Sequence, residues 1–243
     1  MLPLPDLDIL RDEYQEARLL TWARAWLEKE ELAPGIHASD LLDRRLAYWR
    51  KVEPKEPTER QVWLWLTGRV LHHFVIDSVS SGHRPEQADE GTHAALGILY
   101  SPDTFVDGRP VELKTNRAFR EPEPHKLREE YGHYLEQLCT YMVLENVLEG
   151  CLWVFHINLQ EEETRRTFPE PRCYRVTVTD EQFYAFEHTL AEARDQLAHA
   201  LEAKDPSALP LCRAWLCGTN CAWWTSCQPP GRWPNPNRRQ WPQ

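Results

Sequence analysis

The pair Asp107-Gly108 constrains this chain more than any other feature. Asp-Gly favours a two-residue hairpin turn because both positions tolerate positive φ. Here it separates the extended runs Ser101-Pro102-Asp103-Thr104-Phe105-Val106 and Arg109-Pro110-Val111-Glu112-Leu113-Lys114. With the turn at 107–108, Val106 faces Arg109, and counting outward sets Asp103 opposite Glu112. Strand alternation returns Lys114 to the face of Glu112. Two carboxylates within a few ångströms repel unless a divalent cation lies between them, so the hairpin predicts a metal site with a lysine beside it. Carboxylate oxygens suit Mg²⁺ or Mn²⁺. A metal of that kind lowers the pKa of water and braces charge on phosphorus, which points to phosphodiester hydrolysis. Glu53-Pro54-Lys55 and Glu202-Ala203-Lys204 share the E-x-K spacing, but a proline interrupts one and the other ends a helical run. Only Glu112 lies in an apolar strand with an acidic residue at hairpin distance.

Two helical motifs flank the hairpin. Thr58-Glu59-Arg60-Gln61 is a capping box opening a helix through Trp63, Leu66, Val70 and Phe74, expected to run to about Ser78. It carries Gly68 and His72 on one face, with His73 as a rival histidine, and the glycine permits close approach of a strand or a DNA backbone. From about Lys126 to Asn146 the pattern is helical again, and Gln137 and Tyr141 stand one turn apart, with His133 and Tyr134 on or near that face. An amide and a phenol so placed reach toward one phosphate or one lysine.

Pro102-Asp103 with Glu112-Leu113-Lys114, preceded by Gly68-x-x-x-His72 and followed by Gln137-x-x-x-Tyr141, resembles the PD-(D/E)XK nuclease superfamily. Within it the order and intervals are similar to those of the RecB-like group, including CRISPR-associated exonucleases. The resemblance implies an α/β fold, a mixed central sheet flanked by helices like the restriction-endonuclease core. His72, Asp103, Glu112 and the Leu113 carbonyl are then expected to bind Mg²⁺ or Mn²⁺. Lys114 positions the attacking water, and Gln137 and Tyr141 orient the phosphate or the lysine.

The cysteines add a second expectation. Seven cysteines, an odd number, argue against a disulfide framework in a reducing compartment and toward metal binding by any cluster. Cys212, Cys217, Cys221 and Cys227 fall within sixteen residues, and four thiolates hold either tetrahedral Zn²⁺ or an iron-sulfur cluster. The resemblance implies a four-iron (4Fe-4S) cluster, with Zn²⁺ as the alternative, because no cysteine before Cys139 supplies the first ligand usual in that group and Cys212 must replace it. Cys139, Cys151 and Cys173 read as core thiols.

The formal charge of −10 is unlike that of a nucleic-acid binder, so DNA contact requires local basic surface. Arg117, Arg120, Lys126 and Arg128 follow the E-x-K strand and are expected to meet DNA. After Asp205 no acidic residue occurs, while Arg213, Arg232, Arg238 and Arg239 alternate with Trp215, Trp223, Trp224, Trp233 and Trp241. That mixture suits phosphate contact and stacking on a single strand, or else tryptophans packed around the cysteines. No run is long and apolar enough to span a membrane, and the first residues lack a signal peptide, which predicts a cytoplasmic location.

Periodicity further predicts helices over Asp8–Glu30 and Ser39–Lys51, strands over Ala94–Tyr100, Val111–Thr115, Cys151–Ile157 and Cys173–Val178, and a last helix capped by Thr179 or Asp180. The order α-β-β-β-α-β-β-α fits one domain over 1–243: helical additions to residue 57, a core over 58–205 and a cysteine-rich end from 206. The expected function is a metal-dependent exonuclease on single-stranded DNA ends, in repair, recombination, phage biology or CRISPR adaptation. The alternatives are a non-catalytic DNA-end-binding module and a sequence-specific endonuclease of the same superfamily.

Overall fold

The computed structural model describes residues 17, 19–21, 23–25, 33–80, 91–118, 120–160, 166–213, 216 and 221–228. Its centre is a four-stranded mixed sheet in the order β4-β5-β6-β7, with β4 Thr104–Val106, β5 Arg109–Asn116, β6 Glu149–Gln160 and β7 Thr167–Thr177. β5 pairs antiparallel with β4 and parallel with β6, and β6 pairs antiparallel with β7. A parallel pair needs a crossover, and the chain makes it through two helices, α3 Leu127–Glu130 and α4 Gly132–Leu144, numbered after α1 Arg44–Val52 and α2 Glu59–Ser80. The remaining helices are α5 Asp180–Ala203 and the short α6 Trp224–Cys227.

Alternation along β6 buries Leu152, Val154 and His156 on the face that α4 covers. There Leu152 and Val154 meet Leu138, Met142 and Tyr131 in one apolar cluster. Gly150 permits the approach, since a Cβ on it would lie 2.9 Å from Leu138 Cδ1 and 3.0 Å from Met142 Sδ. A second cluster joins Tyr48 of α1, Tyr141, Val143 and Leu144 of α4, and Phe183, Leu190 and Leu197 of α5. Thr179 caps α5 through the Gln182 N–H, and Gln182 returns a bond to the Thr179 N–H, a complete capping box. Beyond α5 the chain turns back over α1, where Arg45 donates to the carbonyls of Pro206 at 2.8 Å and Ser207 at 3.0 Å.

Several expectations are corrected. Ala94–Tyr100 is not one strand: β2 Gly91–His93 and β3 Ile98–Tyr100 form an antiparallel hairpin around a turn, and β1 Ile36–His37 joins β3 in parallel. These three strands make a separate small sheet, so the strand content is divided between two sheets. The left-handed φ of +61° at Gly97, which interrupts the apolar run, lets the chain reverse there. The helix expected over Lys126–Asn146 is broken at Tyr131, whose φ of −99° and ψ of 12° leave helical geometry. Ser39–Lys51 divides into a 3₁₀ turn at Ala38–Leu41 and α1. Of the Asp8–Glu30 helix, residues 17, 19–21 and 23–25 are helical, and the others lie outside the described residues. On α2, Val70 and Phe74, named from sequence only as members of the helix, are exposed to solvent. Among the described residues no helix is long and apolar enough to cross a membrane.

Candidate active site

Asp107 and Gly108 adopt φ values of 52° and 72°, the left-handed pair that a two-residue hairpin turn requires. The register is the one counted from the turn: Val106 pairs with Arg109, Phe105 with Pro110 and Thr104 with Val111. One step further out, the Asp103 N–H donates to Val111 O at 3.1 Å. The Asp103 side chain folds over the strand, where its Oδ2 accepts from the Leu113 N–H at 2.6 Å. α2 brings His72 Nδ1 to 3.3 Å from the other oxygen, Oδ1. The turn thus sets the carboxylate against β5, and the helix closes on it from the side.

Glu112 is fully buried and forms an ion pair with Lys114 through Oε1. Apart from that ammonium, neither of its oxygens has a hydrogen-bond partner among the described residues. Burial pushes the Glu112 carboxyl up to about 8, with the charge of Asp103 adding to the push and Lys114 opposing it. Burial also works against the charge on Lys114, but Glu112 and Asp103 together hold its pKa above the ordinary range. Asp103 is likewise penalised by burial, yet the His72 hydrogen bond, the Lys114 charge and the Leu113 N–H hold it below the usual carboxylate range. One cation thus serves two carboxylates.

α4 forms the opposite wall. Gln137 Nε2 donates to Tyr141 Oη at 2.9 Å, and the phenol is driven well above its ordinary pKa by burial and by the nearby charge of Glu112. Tyr134 lies beside Lys114 and Glu112, its pKa raised mainly by burial. Burial also lowers the pKa of His133, with Arg213 and Lys114 adding to the effect. The structure therefore brings together His72, Asp103, Glu112, Lys114 and Tyr141, drawn from α2, the start of the hairpin, β5 and α4.

Among the described residues no group of three His, Cys, Asp or Glu side chains stands ready to hold a metal ion. Glu112 Oε1 is turned to Lys114 and Asp103 Oδ2 to the Leu113 N–H. The donor chemistry nonetheless fits Mg²⁺ or Mn²⁺: two carboxylates and an imidazole, with buried glutamate oxygens that lack enough donors. Of the two approaches expected at Gly68, no strand among the described residues makes the first, since a Cβ there would meet nothing within 4 Å.

Arg117, Arg120, Lys126 and Arg128 are exposed along the connection from β5 to α3, with Lys126 Nζ 3.6 Å from Glu123. That connection is pinned by residues not anticipated from sequence. Glu121 accepts from Arg172 Nε at 2.6 Å and from Tyr174 Oη at 2.5 Å, and Tyr131 Oη meets the fully buried His156 Nε2 at 3.1 Å. No local signal marked them, since Glu121 lies 51 and 53 residues from its partners and Tyr131 lies 25 from His156.

Of the clustered cysteines, Cys212 is buried and Cys221 and Cys227 are half-buried, while Cys217 lies outside the described residues. Arg213 is ion-paired with Glu136 of α4, and its N–H donates to Asp43 at 3.3 Å. Trp223 Nε1 donates to Glu53 O, and Lys55 Nζ to Ala222 O, both at 2.7 Å, so this segment docks between α1 and α2. Trp215, Arg232, Trp233, Arg238, Arg239 and Trp241 lie outside the described residues.

No protein-family model and no curated protein matches this chain. Among solved structures, the crystal structure of SSO0001 matches with a TM-score of 0.53 at 20% identity, covering 90% of this chain and 96% of that one. This likeness shows a shared fold. An alkaline exonuclease from Laribacter hongkongensis, LHK-Exo, matches with a TM-score of 0.43 at 14% identity over 70% of this chain and 91% of that one. A phage related exonuclease from Haemophilus somnus 129PT matches with a TM-score of 0.46 at 12% identity over 73% and 98%.

Proposed function

We propose that this chain is a divalent-metal-dependent DNA nuclease of the PD-(D/E)XK type, an exonuclease acting on single-stranded ends. The observation that supports it is the Glu112 carboxylate, fully buried and short of donors, beside Lys114, Asp103 and Tyr141, with His72 closing on Asp103. Burying a second carboxylate against a first is costly and serves structure poorly. It suits a site that gathers positive charge.

His72, Asp103, Glu112 and the Leu113 carbonyl would hold Mg²⁺ or Mn²⁺, which supplies Lewis-acid chemistry toward water and a phosphodiester. Lys114 stays protonated beside two carboxylates, so it orients the attacking water through a charged N–H and stabilises charge developing on the phosphoryl oxygens. Tyr141 also stays protonated. Because its oxygen already accepts from Gln137, its own O–H is left to donate to a phosphate oxygen, while the second lone pair of the phenol oxygen can accept from the Lys114 ammonium. Arg117, Arg120, Lys126 and Arg128 contact DNA phosphates. Water attacks phosphorus in line and the sugar oxygen leaves. In the C-terminal segment, Cys212, Cys217, Cys221 and Cys227 share one iron-sulfur cluster or, as the alternative, one Zn²⁺, whose binding energy holds that segment onto α1 and α2.

The test uses end-labelled single- and double-stranded DNA with Mn²⁺, Mg²⁺ or EDTA. Cleavage is expected with either metal and none with EDTA. Lys114→Ala should lose about a hundredfold or more, the scale of one preorganised charge-stabilising group, and Asp103→Ala and Glu112→Ala should be inactive. Wild-type cleavage by all three variants sinks the assignment. Protein purified anaerobically is expected to be brown, with absorbance near roughly 400 nm; colourless protein with stoichiometric zinc replaces the cluster and leaves the nuclease standing.

A further inference from the structure

α2 delivers His72 to the carboxylates, yet much of its apolar surface stands in solvent: Leu64, Trp65, Val70 and Phe74 are all exposed, Trp65 at 51%. A large apolar side chain left in water beside a reactive site calls for a ligand. At about 100° per residue, Val70 and Phe74 lie far round the helix from His72, whereas Trp65, two turns away, returns to within roughly 20° of it. Gly68 stands between them along the axis, roughly 40° to the other side of His72, and a Cβ built on it would meet nothing within 4 Å. His72, Gly68 and Trp65 therefore form a strip about 10 Å long, bare in the middle and ending in a half-exposed indole. Gln61, next along the line, is engaged in capping Thr58. The strip carries no carboxylate, since Glu59 lies roughly 140° round the helix.

We infer that Trp65 is a stacking platform for one unpaired base of the strand being cut. The inference rests on the nuclease function proposed above and deepens it by assigning the contact that selects single strands. With the scissile phosphate beside His72 and Asp103, the sugar-phosphate backbone runs along α2 over Gly68, where no side chain obstructs it. The base of a nearby nucleotide then meets the indole. Every base offers a π-face, so the contact is indifferent to sequence. A base inside a duplex already spends that face on its neighbours and must first be unstacked. Stacking also needs no positive charge, which suits a chain with a formal charge of −10.

The experiment pairs Trp65→Ala and Trp65→Phe with single-stranded oligonucleotides that carry one abasic position, moved stepwise from the cleaved end. Binding is read by fluorescence anisotropy on full-length Lys114→Ala protein in Ca²⁺, with and without the Trp65 change; cleavage is read on protein with native Lys114. With native Trp65, affinity is expected to fall when the abasic position reaches one particular nucleotide. Trp65→Ala should weaken binding of intact DNA by roughly ten- to a hundredfold, the size of one base–aromatic stack, and lose all further sensitivity at that nucleotide. Trp65→Phe should restore most of the affinity, and circular dichroism should show both variants folded. Cleavage with native-like affinity in Trp65→Ala, or an unchanged abasic profile, overturns the platform while leaving the nuclease intact. A Trp65-dependent abasic profile in a protein that never cleaves keeps the platform and overturns the nuclease. Absence of both binding and cleavage overturns the two together.

Discussion

α4 and α2 approach the same carboxylates from opposite conditions of burial. α4 has Leu138 and the whole run Thr140–Leu144 buried, and it packs on β6 at Gly150. Among the described residues of α2 only Val62 is buried. Tyr141 is thus part of the core, and moving it would open cavities around it. His72 reaches Asp103 from a helix with Leu64, Trp65, Val70 and Phe74 exposed to water, so core packing fixes its position less than it fixes that of Tyr141. The difference teaches that one wall of the site is fixed by core packing while the other stands largely in solvent.

The largest test of this contrast is stability. Leu138→Ala removes a fully buried side chain and should cost about 2–5 kcal/mol in chemical denaturation. Val70→Ser, at a position 52% exposed, should stay within about 0.5 kcal/mol. Comparable losses would mean that α2 is packed after all and would break the comparison.

A sharper test applies one substitution to both regions. At Gly150 an added Cβ meets Leu138 and Met142 at 2.9–3.0 Å, so Gly150→Ala should destabilise by about 1 kcal/mol as those side chains shift. At Gly68 the same methyl enters open space in a helix interior, and Gly68→Ala should stabilise by about 0.5–1 kcal/mol. Thermal unfolding of the two variants should therefore move in opposite directions, and movement in the same direction would remove the distinction.

The smallest effect lies beside the fixed wall. Burial raises the pKa of Glu121, but hydrogen bonds from Tyr174 and Arg172 prevail and hold it below its ordinary 4.5. A depressed carboxylate contributes stability that is present above its unfolded pKa and is lost as pH falls through its folded pKa. Glu121→Gln should therefore cost only about 0.5 kcal/mol near neutrality, discounted because Glu121 is one-third exposed. The difference from the wild type should shrink as pH falls below 4.5. A deficit that stays constant down to pH about 3 would place the contribution in packing rather than charge.

Much of the site was legible in the sequence where the cause was local. Asp107 and Gly108 supply two left-handed residues, and the turn they close sets Asp103 against β5 without reference to the rest of the chain. Thr58 with Gln61, and Thr179 with Gln182, begin their helices through bonds that span three residues. The break at Tyr131 was not legible, because apolar spacing continues through it and the departure comes with burial against His156 and Tyr174. The pinning of Glu121 was missed for the same reason, since its partners lie 51 and 53 residues away.

By itself, then, the sequence determined the hairpin register, the starts of α2 and α5 and the residue types that converge on the carboxylates, because each follows from the conformational limits of a few neighbouring residues. Only the tertiary structure decided that the strands divide into two sheets, that β6 pairs parallel with β5, that Gly68 faces open space and that α2 stays exposed while α4 is buried. Those outcomes depend on which apolar surfaces find partners distant in the chain. Periodicity marks a surface as apolar without naming what covers it, and on α2 the described structure leaves part of that surface in solvent.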